Sequence, residues 1–162
     1  MILPKMNEIY AYALKLLKNR DYTVSQLSQK LEAKFGEVPP EVIQQLLQKK
    51  FLNDRRFAQN YVARRKHCGA PQVREELSMR GIASELAEEI LAETEWPSLH
   101  EAVAAKMNDW RLRPPLQARD AARLFRALFR LGYDEDAIRE EIDYVNGVNA
   151  SPTGRSHQTN EQ

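Results

Sequence analysis

The most informative part of the chain is residues 51–82, which read FLNDRRFAQNYVARRKHCGAPQVREELSMRGI. Its apolar residues recur at intervals of three and four, the spacing of one face of an α-helix. Asn53 precedes the first run as an N-cap residue, Gly69 starts a second run, and Gly81 ends it. The stretch therefore predicts two consecutive helices joined by a short turn.

The same pattern recurs on both sides of this stretch. Leu27 and Leu31 lie 46 residues before Val73 and Leu77, and Leu77 lies 51 residues before Leu128. A period of about 45 residues is typical of helical repeat arrays, and no segment alternates apolar and polar residues as a strand would. We predict an all-α protein of three tandem three-helix repeats, stacked into an elongated, curved solenoid-like array.

The repeats and the local composition also predict boundaries along the chain. We expect the first repeat at residues 1–52, the second at residues 53–95 and the third at residues 96–146. Residues 147–162 are rich in Asn, Ser, Thr, Gly and Gln, which predicts a disordered C-terminal tail.

Polar residues predict where several of these helices begin. Thr23 and Ser98 are each followed three residues later by Gln or Glu, the spacing of a capping box. Ser84 and Asp134 stand before further apolar runs and are predicted to cap them.

Composition argues against several classes of protein. A single cysteine, Cys68, excludes a disulfide framework and a multi-cysteine zinc site. No apolar run approaches the roughly 18 residues of a membrane span, and the first residues lack a signal-peptide core, so we expect a cytoplasmic protein. Neither a positioned nucleophile and base nor a phosphate-binding glycine loop is present, so we predict no enzymatic activity, no metal and no cofactor.

The net charge of +1 conceals local separation of charge. Residues 53–82 carry seven basic and three acidic side chains, and residues 111–131 carry six and one. Residues 84–95 hold five Glu and no basic residue, and residues 133–145 hold six acidic residues against one Arg. Two interpretations remain open: the basic helices pair with the acidic third helices or are solvated, or they bind phosphate or carboxylate groups of a partner.

The second interpretation defines a candidate binding surface. One helix carries four arginines at intervals of four, three and four, so they share one stripe. The complete predicted surface consists of the basic side chains of the central repeat and of this stripe: Arg55, Arg56, Arg64, Lys66, Arg74, Arg80, Arg119, Arg123, Arg126 and Arg130. On the other faces of the stripe helix we expect four residues to pack inward: Ala121, Phe125, Leu128 and Phe129.

A second set of residues is predicted to have architectural roles as caps, core or turn. Arg65 shares an apolar-face position with Arg20, which suggests an ion pair at the edge of the core with its stem packed. The set is Asn53, Asp54, Phe57, Ala58, Tyr61, Arg65 and Gly81.

Residues 51–69, together with Val73, Glu76–Leu77 and Arg80–Ile82, resemble the central signature of the RecX family. The similarity extends over residues 7–145, and it is weakest in the third repeat. The resemblance implies an all-helical protein without catalytic residues, which agrees with the interpretation of the apolar spacing.

The resemblance also implies a function. RecX-like proteins regulate the bacterial recombinase RecA in homologous recombination, DNA repair and the SOS response. They bind RecA and its filament on single-stranded DNA and inhibit recombinase, co-protease and ATPase activities by blocking filament extension or promoting disassembly. We therefore expect a monomer whose partners are RecA and the filament, with a weak direct DNA contact through the basic helices. A sequence-specific DNA-binding protein and a helical-repeat scaffold for another partner remain alternatives.

Overall fold

The computed structural model describes residues 3–147, and within that range it contains nine α-helices, one short 3-10 turn and no strand. The all-α prediction is confirmed for this range, and none of its helices is long and apolar enough to span a membrane. The predicted disordered tail lies outside the described residues, apart from Gly147. The helices are α1 (Leu3–Asn19), α2 (Val24–Phe35), α3 (Pro40–Gln48), α4 (Asp54–Arg65), α5 (Ala70–Met79), α6 (Ser84–Glu93), α7 (Leu99–Asp109), α8 (Ala118–Arg130) and α9 (Glu135–Val145).

Side-chain caps start four of these helices. Capping boxes at Thr23 and Ser98 begin α2 and α7, as predicted, and Asp134 accepts the Ala137 N–H at the start of α9. Asn53 caps α4 by accepting a hydrogen bond from the Arg56 N–H. Each of these bonds satisfies a backbone donor that the helix itself leaves without a partner.

The predicted cap at Ser84 is wrong. Ser84 is already the first helical residue of α6, and Ala83, with φ −58° and ψ 139°, occupies the cap position without a side-chain hydrogen bond. Ile82 is buried directly after Gly81 ends the preceding turn. Ala83 is therefore the single residue between the buried Ile82 and the first residue of α6, and it takes the cap position.

The described part of the chain forms two compact units, which divide between Glu95 and Trp96. Helices α1–α6 belong to the first unit and α7–α9 to the second. The finer division into three repeats, with boundaries after residues 52, 95 and 146, stays a prediction.

In the first unit, residues at equivalent positions of the predicted repeats are buried alike. Leu27, Leu31, Val73 and Leu77 are all fully buried, although the two pairs lie 46 residues apart. One buried cluster combines residues of the first three helices with Tyr22 before α2 and Leu52 after α3: Ile9, Ala13, Tyr22, Leu27, Leu31, Val42, Leu46 and Leu52.

In the second unit the core is centred on Leu124 and Leu128 of α8, both fully buried. Phe125 is partly buried and packs against this cluster, as expected from the sequence. The same expectation for Phe129 is wrong, because 57% of that residue is exposed. Phe129 lies about 100° around the helix from Leu128, beyond the face that the core covers.

Gly81 allows the end of α5 to approach the start of α2. It has a φ of +80°, and a Cβ atom built there would lie 2.3 Å from the Ser25 Cβ. Glycine is therefore required at this position both by backbone conformation and by the short distance to α2.

Replacing Leu77 with Ala tests the core assignment. Since Leu77 is fully buried, we expect the free energy of unfolding to fall by about 2–5 kcal/mol. Urea unfolding followed by circular dichroism measures this, with Met79→Ala on the same helix as the control because Met79 is 78% exposed. Equal effects of the two substitutions would contradict the assignment.

Replacing Gly81 with Ala tests the close approach of α5 to α2. Gly36 has a similar φ of +77° but nothing within 4 Å of an added Cβ, so Gly36→Ala is a matched control. We expect backbone strain of about 1–3 kcal/mol in each variant and a further loss of about 1–3 kcal/mol in Gly81→Ala from the contact with Ser25. Equal losses of unfolding free energy would show that Ser25 moves aside freely.

Candidate interaction surface

Two arginines of the predicted surface are paired with acidic side chains of α6. Arg55 Nη2 lies 2.6 Å from Glu89 Oε2, and Arg74 Nε lies 2.5 Å from Glu88 Oε1. Both pairs are about half exposed, so each contributes little to stability. For these two arginines the structure shows pairing with the acidic third helix, the first of the two interpretations of the charge pattern.

Two further arginines of this set bind backbone carbonyls. Arg56 donates to the Lys50 carbonyl at 3.0 Å and to the Phe51 carbonyl at 3.3 Å. Arg80 donates to the Glu76 carbonyl at 3.0 Å. The Lys50 and Phe51 carbonyls follow the end of α3, and the Glu76 carbonyl in the last turns of α5 also accepts the Arg80 N–H at 3.2 Å.

The remaining two members of the central set are Arg64 and Lys66, which have no ion pair within residues 3–147. Arg64 is exposed and Lys66 is half-buried. Arg56, besides its bonds to backbone carbonyls, lies 3.9 Å from the Asp21 carboxylate. The six central side chains therefore do not form one continuous free basic face: Arg55, Arg56 and Arg74 are paired with carboxylates, Arg80 binds a backbone carbonyl, and Arg64 and Lys66 have no ion pair within residues 3–147.

Glu76 of α5 connects α5 to α4. Its carboxylate accepts two hydrogen bonds from Arg65, at 2.8 and 3.3 Å, and one from the Tyr61 hydroxyl at 2.7 Å. The Gln72 amide donates a fourth at 3.2 Å. The hydrogen bonds from Arg65 and then from Tyr61 lower the pKa of Glu76 from 4.5 to about 2, so this carboxylate is charged at neutral pH.

We call Glu76, Arg65, Tyr61 and Gln72 the Glu76 cluster. Arg80 links this cluster to α2. The Arg80 guanidinium lies 4.5 Å from the centroid of the Tyr61 ring, and the Arg80 carbonyl accepts a 2.6 Å hydrogen bond from the buried Thr23 hydroxyl. Beside this bond, the Asp54 carboxylate accepts the Val24 N–H at 2.8 Å. Burial raises the pKa of Asp54, which this hydrogen bond partly opposes. Asp54 thus joins α4 to the start of α2, while Asn53 acts as the cap of α4.

The arginine stripe of α8 differs from the central set. All four of its arginines are exposed, and none forms an ion pair with any residue in the described part of the chain. The single arginine of α9, Arg139, is paired with Glu135 of the same helix. For α8, pairing with the acidic third helix is therefore not found among residues 3–147.

Aromatic rings lie beside this stripe. The Arg123 guanidinium is 3.8 Å from the centroid of the Trp110 ring, a cation–π contact that also covers the indole. The unpaired side chains of the stripe are therefore Arg119, Arg126 and Arg130, with the exposed ring of Phe129 next to them. We call these four residues the α8 surface.

The role of Glu76 is not predicted by the apolar and charge patterns, and neither is that of the Thr23 hydroxyl beyond its cap. A signal for Glu76 was present, because Arg65 occupies an apolar-face position and needs an acidic partner at the edge of the core. For Thr23 no local signal exists, since its second partner, Arg80, lies 57 residues away.

Replacing Glu76 with Gln tests this cluster. We expect the unfolding free energy at pH 7 to fall by about 1–2 kcal/mol, because Arg65 and Tyr61 lose a charged acceptor. The pKa of Glu76 is lower in the folded protein, so its contribution is complete above pH 4.5 and is lost as the pH falls toward 2.

The difference in unfolding free energy between the unmodified protein and Glu76→Gln should therefore shrink as urea unfolding is repeated from pH 5 down to pH 2.5. Glu75→Gln, which removes the same charge from an exposed neighbour, is the control and should show little effect at either pH. A difference that does not change with pH would contradict the role of the charged carboxylate.

Known proteins similar to this chain agree on one family. The family model for RecX, second three-helix domain, matches residues 53–91. The chain is 33% identical over 132 residues to the regulatory protein RecX of Halorhodospira halophila, covering 78% of this chain and 81% of that protein. It is 33% identical over 142 residues to the regulatory protein RecX of Chromohalobacter salexigens, covering 82% and 90%. The crystal structure of RecX from Lactobacillus salivarius is similar in fold, with a TM-score of 0.69 at 21% identity, over 87% of this chain and 96% of that one.

The family model falls on α4–α6, the helices that carry the Glu76 cluster. The two relatives extend the similarity over most of both chains, at an identity of one third. The likeness of fold to a solved RecX structure agrees with the all-helical architecture. This chain belongs to the RecX family.

Proposed function

We propose that this protein regulates the recombinase RecA by binding RecA and its filament on single-stranded DNA. Binding inhibits the recombinase, co-protease and ATPase activities of RecA. The observation that carries the proposal is membership in the RecX family, whose relatives are named regulatory proteins and match this chain over most of its length.

The distribution of free charge supports a contact with an anionic partner. In the α8 surface three guanidiniums have no ion pair among residues 3–147. Arginine is suited to phosphate and carboxylate groups because its planar fork can donate two hydrogen bonds at once. DNA phosphates and acidic side chains of RecA both provide such groups.

Two routes to inhibition are compatible with such a contact. A protein bound where the next RecA molecule adds would block filament extension, and a protein bound along the filament would promote disassembly. Binding through several weak contacts at once would raise the affinity for the filament above that for free RecA. Either route predicts inhibition at ratios well below one molecule per RecA.

ATP hydrolysis by RecA on single-stranded DNA, titrated with this protein, tests the proposal. We expect substoichiometric inhibition, with RecA taken from the same source. The triple variant Arg119→Gln, Arg126→Gln and Arg130→Gln should require about tenfold more protein for equal inhibition, as the loss of three charge contacts of about 0.5 kcal/mol each implies. Arg123 is left in place because it covers Trp110.

The control for this experiment removes the same charge elsewhere. Lys5, Lys15 and Lys18 are exposed on α1, and changing all three to Gln should leave inhibition as in the unmodified protein. Equal weakening in both triple variants would mean that net charge alone matters. Absence of inhibition at any ratio would contradict the proposal and favour a helical-repeat scaffold with another partner.

A further inference from the structure

An aromatic ring is exposed among the unpaired arginines of α8. Phe129 is 57% exposed, three residues after Arg126 and one before Arg130, so all three side chains emerge on adjoining parts of the helix. Its ring is nearly parallel to that of Phe125, with centroids 6.2 Å apart and 7° between the planes. Phe125 packs against the core of the unit, which gives Phe129 a fixed neighbour on one side.

The ring of Phe129 also differs from its aromatic neighbours in having no cation over it. Arg123 lies over Trp110 at 3.8 Å, and Arg139 lies 5.5 Å from the Phe125 centroid. No cation covers Phe129 among the residues that the structure describes. The guanidiniums of Arg126 and Arg130 thus remain available to anions, and the ring remains available to a flat, uncharged partner.

These two properties favour nucleic acid over an acidic protein surface. Carboxylates and phosphates both satisfy arginine, but every nucleotide of a single strand joins an anion to a flat aromatic base, and so it matches both parts of this surface. Exposed bases stack on aromatic side chains regardless of sequence. In a duplex, the faces of the bases are occupied by their neighbours, so the arrangement fits a single strand.

We propose that the α8 surface binds single-stranded DNA, with phosphates on Arg119, Arg126 and Arg130 and one base stacked on Phe129. This deepens the proposed function and rests on it only in placing the surface at a RecA filament. The binding itself requires no RecA, so the two proposals can fail separately.

Fluorescence anisotropy with the full chain and a labelled oligo-dT strand of about 15 nucleotides tests the stacking. Phe129→Leu retains an apolar side chain without the ring and should bind about 5- to 100-fold more weakly. Phe129→Tyr retains the ring and should bind as the unmodified protein does. An abasic strand of the same length should bind the unmodified protein and Phe129→Leu equally, and a duplex should bind more weakly than oligo-dT.

The dependence of binding on salt separates the two kinds of contact. The slope of log K against log salt is negative, and loss of one phosphate contact reduces its magnitude by about 0.7 for a single strand. The slope of the triple arginine variant should therefore be smaller in magnitude by about 2, whereas Phe129→Leu should keep the slope and lose only affinity. Circular dichroism verifies that each variant is folded.

The control is Phe51→Leu, because Phe51 is exposed to a similar degree, 47%, in the first unit. It should bind oligo-dT normally. Unchanged binding in Phe129→Leu, or equal affinity of the unmodified protein for oligo-dT and the abasic strand, would overturn the stacking proposal. Binding of a poly-glutamate peptide as tight as that of oligo-dT would instead identify an acidic protein as the partner. RecA inhibition without this DNA binding would leave the proposed function intact.

Discussion

The buried hydroxyl of Thr23 is the constraint on which the first unit depends. It accepts a hydrogen bond from the Gln26 N–H at 3.1 Å and donates one to the Arg80 carbonyl at 2.6 Å. The hydroxyl is therefore hydrogen-bonded within the protein both as acceptor and as donor. Separation of α2 from the end of α5 would leave the Thr23 hydroxyl proton without an acceptor and the Arg80 carbonyl without this donor, which is costly away from water. Gly81 makes the approach sterically feasible, because it has no side chain to meet Ser25.

The same junction explains how much of the positive charge of the central helices is used internally. From Arg80 the polar contacts continue through the Tyr61 ring to Glu76 and Arg65. Carboxylates of α6 pair with Arg55 and Arg74. Several basic side chains that the charge pattern predicts to bind a partner therefore form contacts within the protein instead.

Helix α8 presents the opposite case. Its core face is buried around Leu124 and Leu128, while its arginines remain without ion pairs within residues 3–147. Unpaired guanidiniums are available to an external anion without the loss of an internal ion pair. In our proposal the central helices chiefly maintain the structure, and the α8 surface recognises the anionic component of the filament.

Local features of the sequence were sufficient for the helices. Apolar spacing predicted the all-α fold and the buried positions of Leu77 and Leu128, and the Thr–Gln and Ser–Glu spacings predicted the capping boxes of α2 and α7. These features are readable because a helix brings together residues three and four apart, which are also close in sequence. Resemblance to a family, rather than any of these patterns, supplied the expected function.

Tertiary packing decided which charges remain free and which rings are exposed. Arg74 and Arg126 are both basic residues on amphipathic helices, yet Arg74 meets Glu88, 14 residues away, and Arg126 meets no acidic residue in the described part of the chain. Phe129 was placed in the core by its spacing alone, but the core of its unit ends at the adjacent face. Such outcomes depend on where a second helix lies, and residues on different helices are brought together by packing rather than by their spacing along the chain.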